Sequence, residues 1–298
     1  MLKNDQNIKI WRVVLEESGM KLQTFLKSKL GSSYSLRKIK SFLEKRLCEV
    51  NGRVERFSSK KIGHGDAVKL IQEDFIDSRS SSWEVDKRRI IFEDEHLLVY
   101  DKPSGISSDG TQGLEALLRE HNCSLRLTHR LDRETSGLII LSKNDLVWND
   151  LLDLFRKRLI VKEYLAVVDG VFTDSCGEIR NYLGKKHSYQ GQCIWGEVSK
   201  KKGKLAITSW KREKSGKEIT MLRCFPKTGR THQIRVHLSG LGHPVLGDVQ
   251  YGRFFLSQYK PQRILLHAER IHFQHPHTKK EIYLSSQLPD DFIHPFLA

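Results

Sequence analysis

Residues 73–89, EDFIDSRSSSWEVDKRR, form a polar, serine-rich stretch with no apolar periodicity of its own, and the hydrophobic pattern differs on its two sides. Before it, apolar residues recur at helical spacing; after it, short apolar runs of strand type dominate. One layer pattern cannot run from end to end, and 298 residues leave room for two domains. The expected organisation is a small domain over residues 1–72, a linker over 73–89 with Trp83 as its local anchor, and a large domain over 90–298.

In the small domain, GMKLQTFLKSKL places Leu22, Phe25, Leu26 and Leu30 on one helix face, and SLRKIKSFLEKRL reads as a second helix begun by Ser35. Arg37, Lys38 and Lys40 lie off its apolar face and are candidates for contact with a ligand. CEVNGRV carries an Asn-Gly turn between short strands, and GHGDAVKL a glycine turn before an alternating strand. Charge is concentrated here. The chain has 51 Lys and Arg against 36 Asp and Glu, a net +15, and residues 1–72 hold 16 of the former and 7 of the latter. An excess of nine in the first quarter favours an acidic polymer as partner, nucleic acid above all. A membrane surface fits less well, because no long basic amphipathic helix with an aromatic face is present.

The large domain is strand-rich. IIFEDEHLLVYDKP reads as strand and turn, GLIILSK as a buried strand, EYLAVVDGVF as another, and KLAITSWKREKSGKEITMLRCF as a hairpin around KSGK. THQIRVHLSGLG is a short helix, with Thr231 as cap and Ile234, Leu238 and Leu241 facing inward. The opening MLKNDQNIKIWRVVLEES lacks the apolar centre of a secretion signal, and no apolar run approaches the roughly 20 residues of a membrane helix. The five cysteines are odd in number, widely spaced and without a C-x-x-C pair. A cytoplasmic protein with reduced thiols and no zinc site is expected.

Several chemistries lack their motifs. No phosphate loop occurs, and the glycines of GLGHPVLGD follow a helix where a dinucleotide fingerprint requires a strand. No G-x-S-x-G elbow marks a hydrolase. HFQHPHT offers His272, His275 and His277, but a His-Pro turn accounts for them better than a metal does. What remains is HRLDRETSG, where Asp132 sits between Arg130 and Arg133. Alone it reads as a surface loop with weak ion pairs. Two other segments change the weighing: RLIVKEYLAVVDG puts Tyr164 at the mouth of a strand, and KTGRTHQIRVHL puts Arg230 at a helix N-terminus. A carboxylate facing a guanidinium stays ionised and can attack an electrophilic carbon, and a tyrosine can stack on a base and handle a proton. Together they suit chemistry on a nucleobase.

HRLDRETSGLIILSK, VKEYLAVVDG, GKLAITSW, TGRTHQIRVHLSGLGHPVLGDVQYG and RILLHAERIHFQHP resemble, in order, the motifs of the RluA-type RNA pseudouridine synthases. SLRKIKSFLEKRLCEVNG and GHGDAVKL resemble the alpha-L RNA-binding domain. The resemblance implies an α+β catalytic domain with a cleft and a central, mainly antiparallel sheet, preceded by a small α/β RNA-binding domain. It implies isomerisation of uridine to pseudouridine in structured RNA without cofactor or metal; for oligomeric state, which the sequence does not reveal, a monomer is the default expectation. Large-subunit ribosomal RNA is the expected substrate; transfer RNA, or a non-catalytic ribosome-assembly role, are the alternatives. Asp132 matches the catalytic aspartate, Tyr164 the tyrosine that stacks on uracil, and Arg230 the basic residue paired with the aspartate. Arg130 is expected to fill the space left by the flipped nucleotide. His129 is grouped with the substrate-binding residues, although a structural hydrogen bond is its more ordinary reading.

Overall fold

The computed structural model describes residues 8–31, 34–44, 47–71, 85–189, 192–252 and 254–297. Contacts divide the chain into two compact units, Met1–Ser82 with Ser188–Cys193, and Trp83–His187 with Ile194–Ala298.

The first unit contains β1 (Ile8–Arg12), α1 (Leu22–Leu30), α2 (Leu36–Glu44), β2 (Cys48–Val50), β3 (Arg53–Val54) and β4 (Ala67–Ile71). Its sheet runs β1-β4-β2-β3, all antiparallel. Leu22, Phe25, Leu26 and Leu30 of α1 are buried together, as their spacing predicts. The Ser35 hydroxyl accepts the Lys38 N–H at 3.2 Å, capping α2. Asn51 (φ 52°) and Gly52 (φ 74°) supply the two left-handed residues of the β2–β3 turn. Asn51 also accepts the Ala67 N–H and donates to Asp66, which fixes the turn against β4. Lys38 lies 4.5 Å from the Tyr34 ring centre and Lys40 is exposed. The Arg37 side chain, and residues 73–84 of the expected linker with Trp83, lie outside the described residues.

The second unit comprises β5 (Ile90–Glu93), β6 (Leu97–Lys102), α3 (Leu114–His121), β7 (Arg126–Leu127), β8 (Ser136–Ser142), α4 (Asp145–Lys157) and β9 (Val161–Asp169). It continues with β10 (Cys176–Tyr189), β11 (Gln192–Glu197), β12 (Lys204–Ser215), β13 (Ile219–Pro226), α5 (Gln233–Gly240), β14 (Leu266–Gln274) and β15 (Glu281–Ser285). All eleven strands join one sheet, ordered β11-β10-β12-β13-β9-β14-β8-β6-β5, with β15 on β14 and β7 on β8. The architecture is α+β with a mainly antiparallel sheet; β8 and β14 pair in parallel. All seven residues of β8 are buried, because Ile139 and Leu141 enter one core while Leu138 and Ile140 enter another on the opposite face. IIFEDEHLLVYDKP forms the β5–β6 hairpin, and KSGK turns β12 into β13.

The β8–β14–β9 crossing positions the site. Gly137 and Tyr164 both oppose Ala268, one on each side of β14. Gly137 has φ 111°, and a Cβ there would meet the Ala268 carbonyl oxygen at 2.2 Å, so glycine alone allows the strands this close. The register of β14 shifts immediately afterwards, between Ala268 and Arg270. At the far end of β14, His275 Nδ1 accepts the N–H groups of His277 and Thr278, which makes the His-Pro turn. His272 pairs with Glu281.

Candidate active site

Asp132 lies in the loop between β7 and β8, and a neighbouring segment, residues 102–108, holds that loop by its backbone. The Ser108 hydroxyl donates to the Leu131 carbonyl and accepts the Leu131 N–H, at 2.8 and 3.0 Å. Ser104 donates to the Glu134 carbonyl and the Gly105 N–H to that of Arg133. Fully buried Lys102 gives its ammonium protons to the carbonyls of Pro103, Ile106 and Arg133. Burial pulls the Lys102 amine down to about 7, against the upward pull of Asp132 and Glu134. The tight hold on 131–134 aims the Asp132 carboxylate.

Opposite it, α5 supplies the cation. Its N-terminal residue Gln233 is buried and accepts from the Thr228 hydroxyl and the Arg230 N–H, while its amide donates to the Ile207 carbonyl and Thr208 hydroxyl. His237 bridges Thr208 and Asn181. These polar pins, with Ile234 and Leu238 in the core, set the rotation of α5 and turn Arg235 toward the loop. Arg235 NH1 meets Asp132 Oδ2 at 3.1 Å. Its Nε and NH2 grip Asp248 at 2.6 and 3.0 Å, and NH2 also reaches Gln250. The Arg235 side chain is 5 % exposed and that of Asp248 1 %. Burial pushes the Asp248 carboxyl up, but the charge and hydrogen bonds of Arg235 outweigh it and hold it below the usual carboxylate range.

Arg230, expected to pair with Asp132, does not. Its Nε donates to the Leu205 carbonyl at 2.9 Å, and it lines the cleft five residues from the arginine that makes the contact. Arg230 precedes α5, whereas Arg235 lies on the helix face turned to the loop, with Asp248 behind it. The expected cap also differs. His232, at φ 55°, occupies the position before the helix rather than Thr231, and no side chain caps the end. A non-glycine residue in the left-handed region is a strain sustained by its surroundings. His232 Nδ1 lies 2.8 Å from the Tyr251 hydroxyl and Nε2 3.9 Å from Asp132 Oδ2. Burial, then the charge of Arg235, pulls the His232 ring down to about 4, so it is neutral at pH 7.

Tyr164 is buried on β9 in the main core. Burial and, next, the Asp132 charge push its phenol well up, so it stays protonated at neutral pH. The cleft around Asp132, Tyr164 and Arg235 has a volume of about 1340 Å³. That exceeds the size usual for a small ligand, and its walls carry Arg126, Arg130, Arg133, Lys162, Lys227 and Arg230. Arg130 is exposed and pairs with Asp109 at 2.7 Å; Arg133 donates to the Gly105 carbonyl. Half-buried His129 accepts the Ile140 N–H at Nε2, and burial pulls its ring down to about 3. Its acceptor serves the fold, the ordinary reading of that residue. Arg235 and Asp248 were missing from the sequence reading. The available signal was a charged residue inside the apolar helix run QIRVHL, followed by an aspartate in VLGDVQYG.

Chemically, Asp132 presents a carboxylate whose Oδ2 is fixed by a guanidinium and whose Oδ1 has no partner among the described residues. A fixed anion beside a neutral phenol, in a basic cleft sized for a polymer, defines an enzyme that acts on a chain with an anionic backbone. The RNA pseudouridylate synthase family profile matches residues 96–240. The ribosomal large subunit pseudouridine synthase C of Buchnera aphidicola subsp. Acyrthosiphon pisum is 39% identical over 216 residues, covering 68% of each chain. The protein of that name from Yersinia pestis is 33% identical over 318 residues, covering 100% of this chain and 98% of its own. Among solved structures, human RNA pseudouridylate synthase domain containing 4 superposes with a TM-score of 0.58 at 28% identity, over 70% of this chain and 91% of that one. The chain belongs to the RNA pseudouridylate synthase family and is an isomerase of uridine in RNA. Among the described residues no helix is long and apolar enough to cross a membrane.

Proposed function

We propose that this protein isomerises specific uridines of large-subunit ribosomal RNA, with Asp132 as the nucleophile. The observation that carries the reading is the Asp132 carboxylate, clamped through one oxygen by buried Arg235 and open at the other to the cleft. The carboxylate initiates cleavage of the bond between uracil N1 and ribose C1′; the uracil turns in the cleft and C5 bonds to C1′. C5 loses a proton and N1 gains one, so product and substrate are isomers. Tyr164 packs on the extruded base, Arg235 holds the nucleophile, and Arg130 leaves Asp109 to fill the gap in the RNA. The ribosomal substrate is supported by the names of relatives that match along nearly their whole length. A ribosomal substrate supports a cytoplasmic location, and a monomer is the form this reading takes by default.

The test uses large-subunit ribosomal RNA and transfer RNA, each unmodified and labelled with tritium at uridine C5. Release from the ribosomal RNA alone is the expected result. Release from transfer RNA alone overturns the substrate assignment, and release from neither overturns the enzymatic reading in favour of an assembly factor.

The N-terminal unit grips the RNA in this reading, over residues 1–72. Lys38→Ala with Lys40→Ala is expected to weaken RNA binding and to lower the slope of log affinity against log salt by roughly 1 for each phosphate that is no longer neutralised. An unchanged slope in filter-binding titrations assigns the grip elsewhere.

A further inference from the structure

Lys162 enters the cleft on the same strand as Tyr164 and has no role in the clamp. Residues 164, 166 and 168 of β9 point into one core and 165 and 167 into another, so Lys162 shares the face of Tyr164 by strand alternation. The two are separated by one strand repeat, about 7 Å, with Lys162 nearer the exposed start of the strand at Val161. Its ammonium lies 5.6 Å from the Phe155 ring centre, and a Cβ built on Gly229 would sit 3.9 Å from it. The amine thus stands between α4 and the 227–230 loop, on the way from solvent to Tyr164.

Its neighbours in the cleft wall are engaged. Arg126 stacks on Trp148 and meets Asp145, Arg156 meets Asp153, Lys227 meets Glu178, and Arg235 is held twice. Among the described residues no carboxylate or carbonyl accepts a proton from Lys162, although it is half-buried. Burial pulls its amine down to about 8, a cost that an arriving anion would offset.

We propose that Lys162 binds a backbone phosphate of the extruded nucleotide. The proposal rests on the reading of this cleft as the site of uridine isomerisation. With uracil against Tyr164, the phosphate of the same nucleotide falls toward the exposed start of β9, where Lys162 stands on the same strand face. The contact draws the nucleotide into the cleft and holds its sugar while the base is free to turn.

The test combines Lys162→Met with an RNA carrying a neutral methylphosphonate next to the target uridine, placed on its 5′ side in one RNA and its 3′ side in another. For the wild type, one of the two substitutions is expected to raise KM roughly 10-fold, the scale of removing a charge-assisted hydrogen bond. Lys162→Met should raise KM by a similar factor on natural RNA and be insensitive to that methylphosphonate; Lys162→Arg should stay within about threefold of wild type. Losses that multiply, or a Lys162→Met defect confined to kcat, overturn the proposal and leave the ammonium acting on the base. Wild-type turnover on natural RNA separates the two levels: its absence defeats the reading of the cleft, whereas turnover without coupling defeats only the role of Lys162.

Discussion

Asp132→Asn is expected to lower tritium release by on the order of 10⁴-fold or more, the scale seen when a nucleophile is removed from an otherwise intact site. Asparagine keeps the shape, and its carbonyl oxygen can still accept from Arg235 NH1, whose other nitrogens stay on Asp248 and Gln250. The loop is held by Ser108, Ser104 and Lys102 through backbone atoms that the substitution does not touch. RNA binding should therefore stay within about threefold of wild type or tighten, since one negative charge leaves a site that receives phosphates. Single-turnover release and filter binding on the same preparations check both halves. A variant retaining one hundredth of wild-type turnover removes Asp132 from the nucleophile role.

Local pattern made much of the fold legible. The four apolar residues of α1, the Asn-Gly turn, the capping by Ser35 and the KSGK hairpin each depend on neighbours within one or two turns of chain. The buried run GLIILSK was legible for a related reason, because a strand covered on both faces shows no alternation. Failures cluster where distant contacts decide. Leu241, expected inward, is 43 % exposed, because α5 stops at Gly240 and Gly242 (φ 85°) turns the chain away. Thr231 is not the cap, because the buried Gln233 amide takes the Arg230 N–H and pulls the chain into the left-handed turn at His232. The parallel contact of β8 with β14 joins residues more than a hundred positions apart, and no local signal announces it.

The site divides in the same way. Asp132 and Tyr164 were singled out by residue chemistry and given their roles by family resemblance, and both line one cleft. The partner arginine was misplaced by five residues. Arg230 and Arg235 flank one turn in one motif, and choosing between them requires the phase of α5 and the position of Asp248. Periodicity supplies the phase, which makes Arg235 the odd charge on a buried face, but the carboxylate that a buried guanidinium demands comes from Asp248, thirteen residues on.

Arg235→Gln tests that partnership and is expected to damage two things at once. Turnover should fall by roughly 10²- to 10³-fold, because the carboxylate is deprived of its charge-assisted hydrogen bond and its fixed direction. Stability should fall by about 3–5 kcal/mol, because Asp248 is left buried without its counter-ion. The two effects separate in the double variant Arg235→Gln with Asp248→Asn, which removes the stranded charge. It should regain most of the missing stability and none of the missing turnover. The sign of the pH dependence gives an independent check. In the wild type Asp248 is held below its unfolded value, so its contribution is full above that value and is lost as pH falls through the folded one. In Arg235→Gln the guanidinium no longer opposes burial, and the folded carboxyl rises above its unfolded value. That variant therefore loses stability as pH climbs toward neutrality and recovers it on acidification, the reverse of wild type for this group. Thermal unfolding of the three proteins between pH 5 and 8 reads the variant's slope against a wild type that is flat for this group over that range, its own loss lying at lower pH. Arg235→Gln with normal stability at pH 8 would mean that Asp248 has another counter-ion, and a double variant with wild-type turnover would mean that Arg235 serves only to neutralise Asp248.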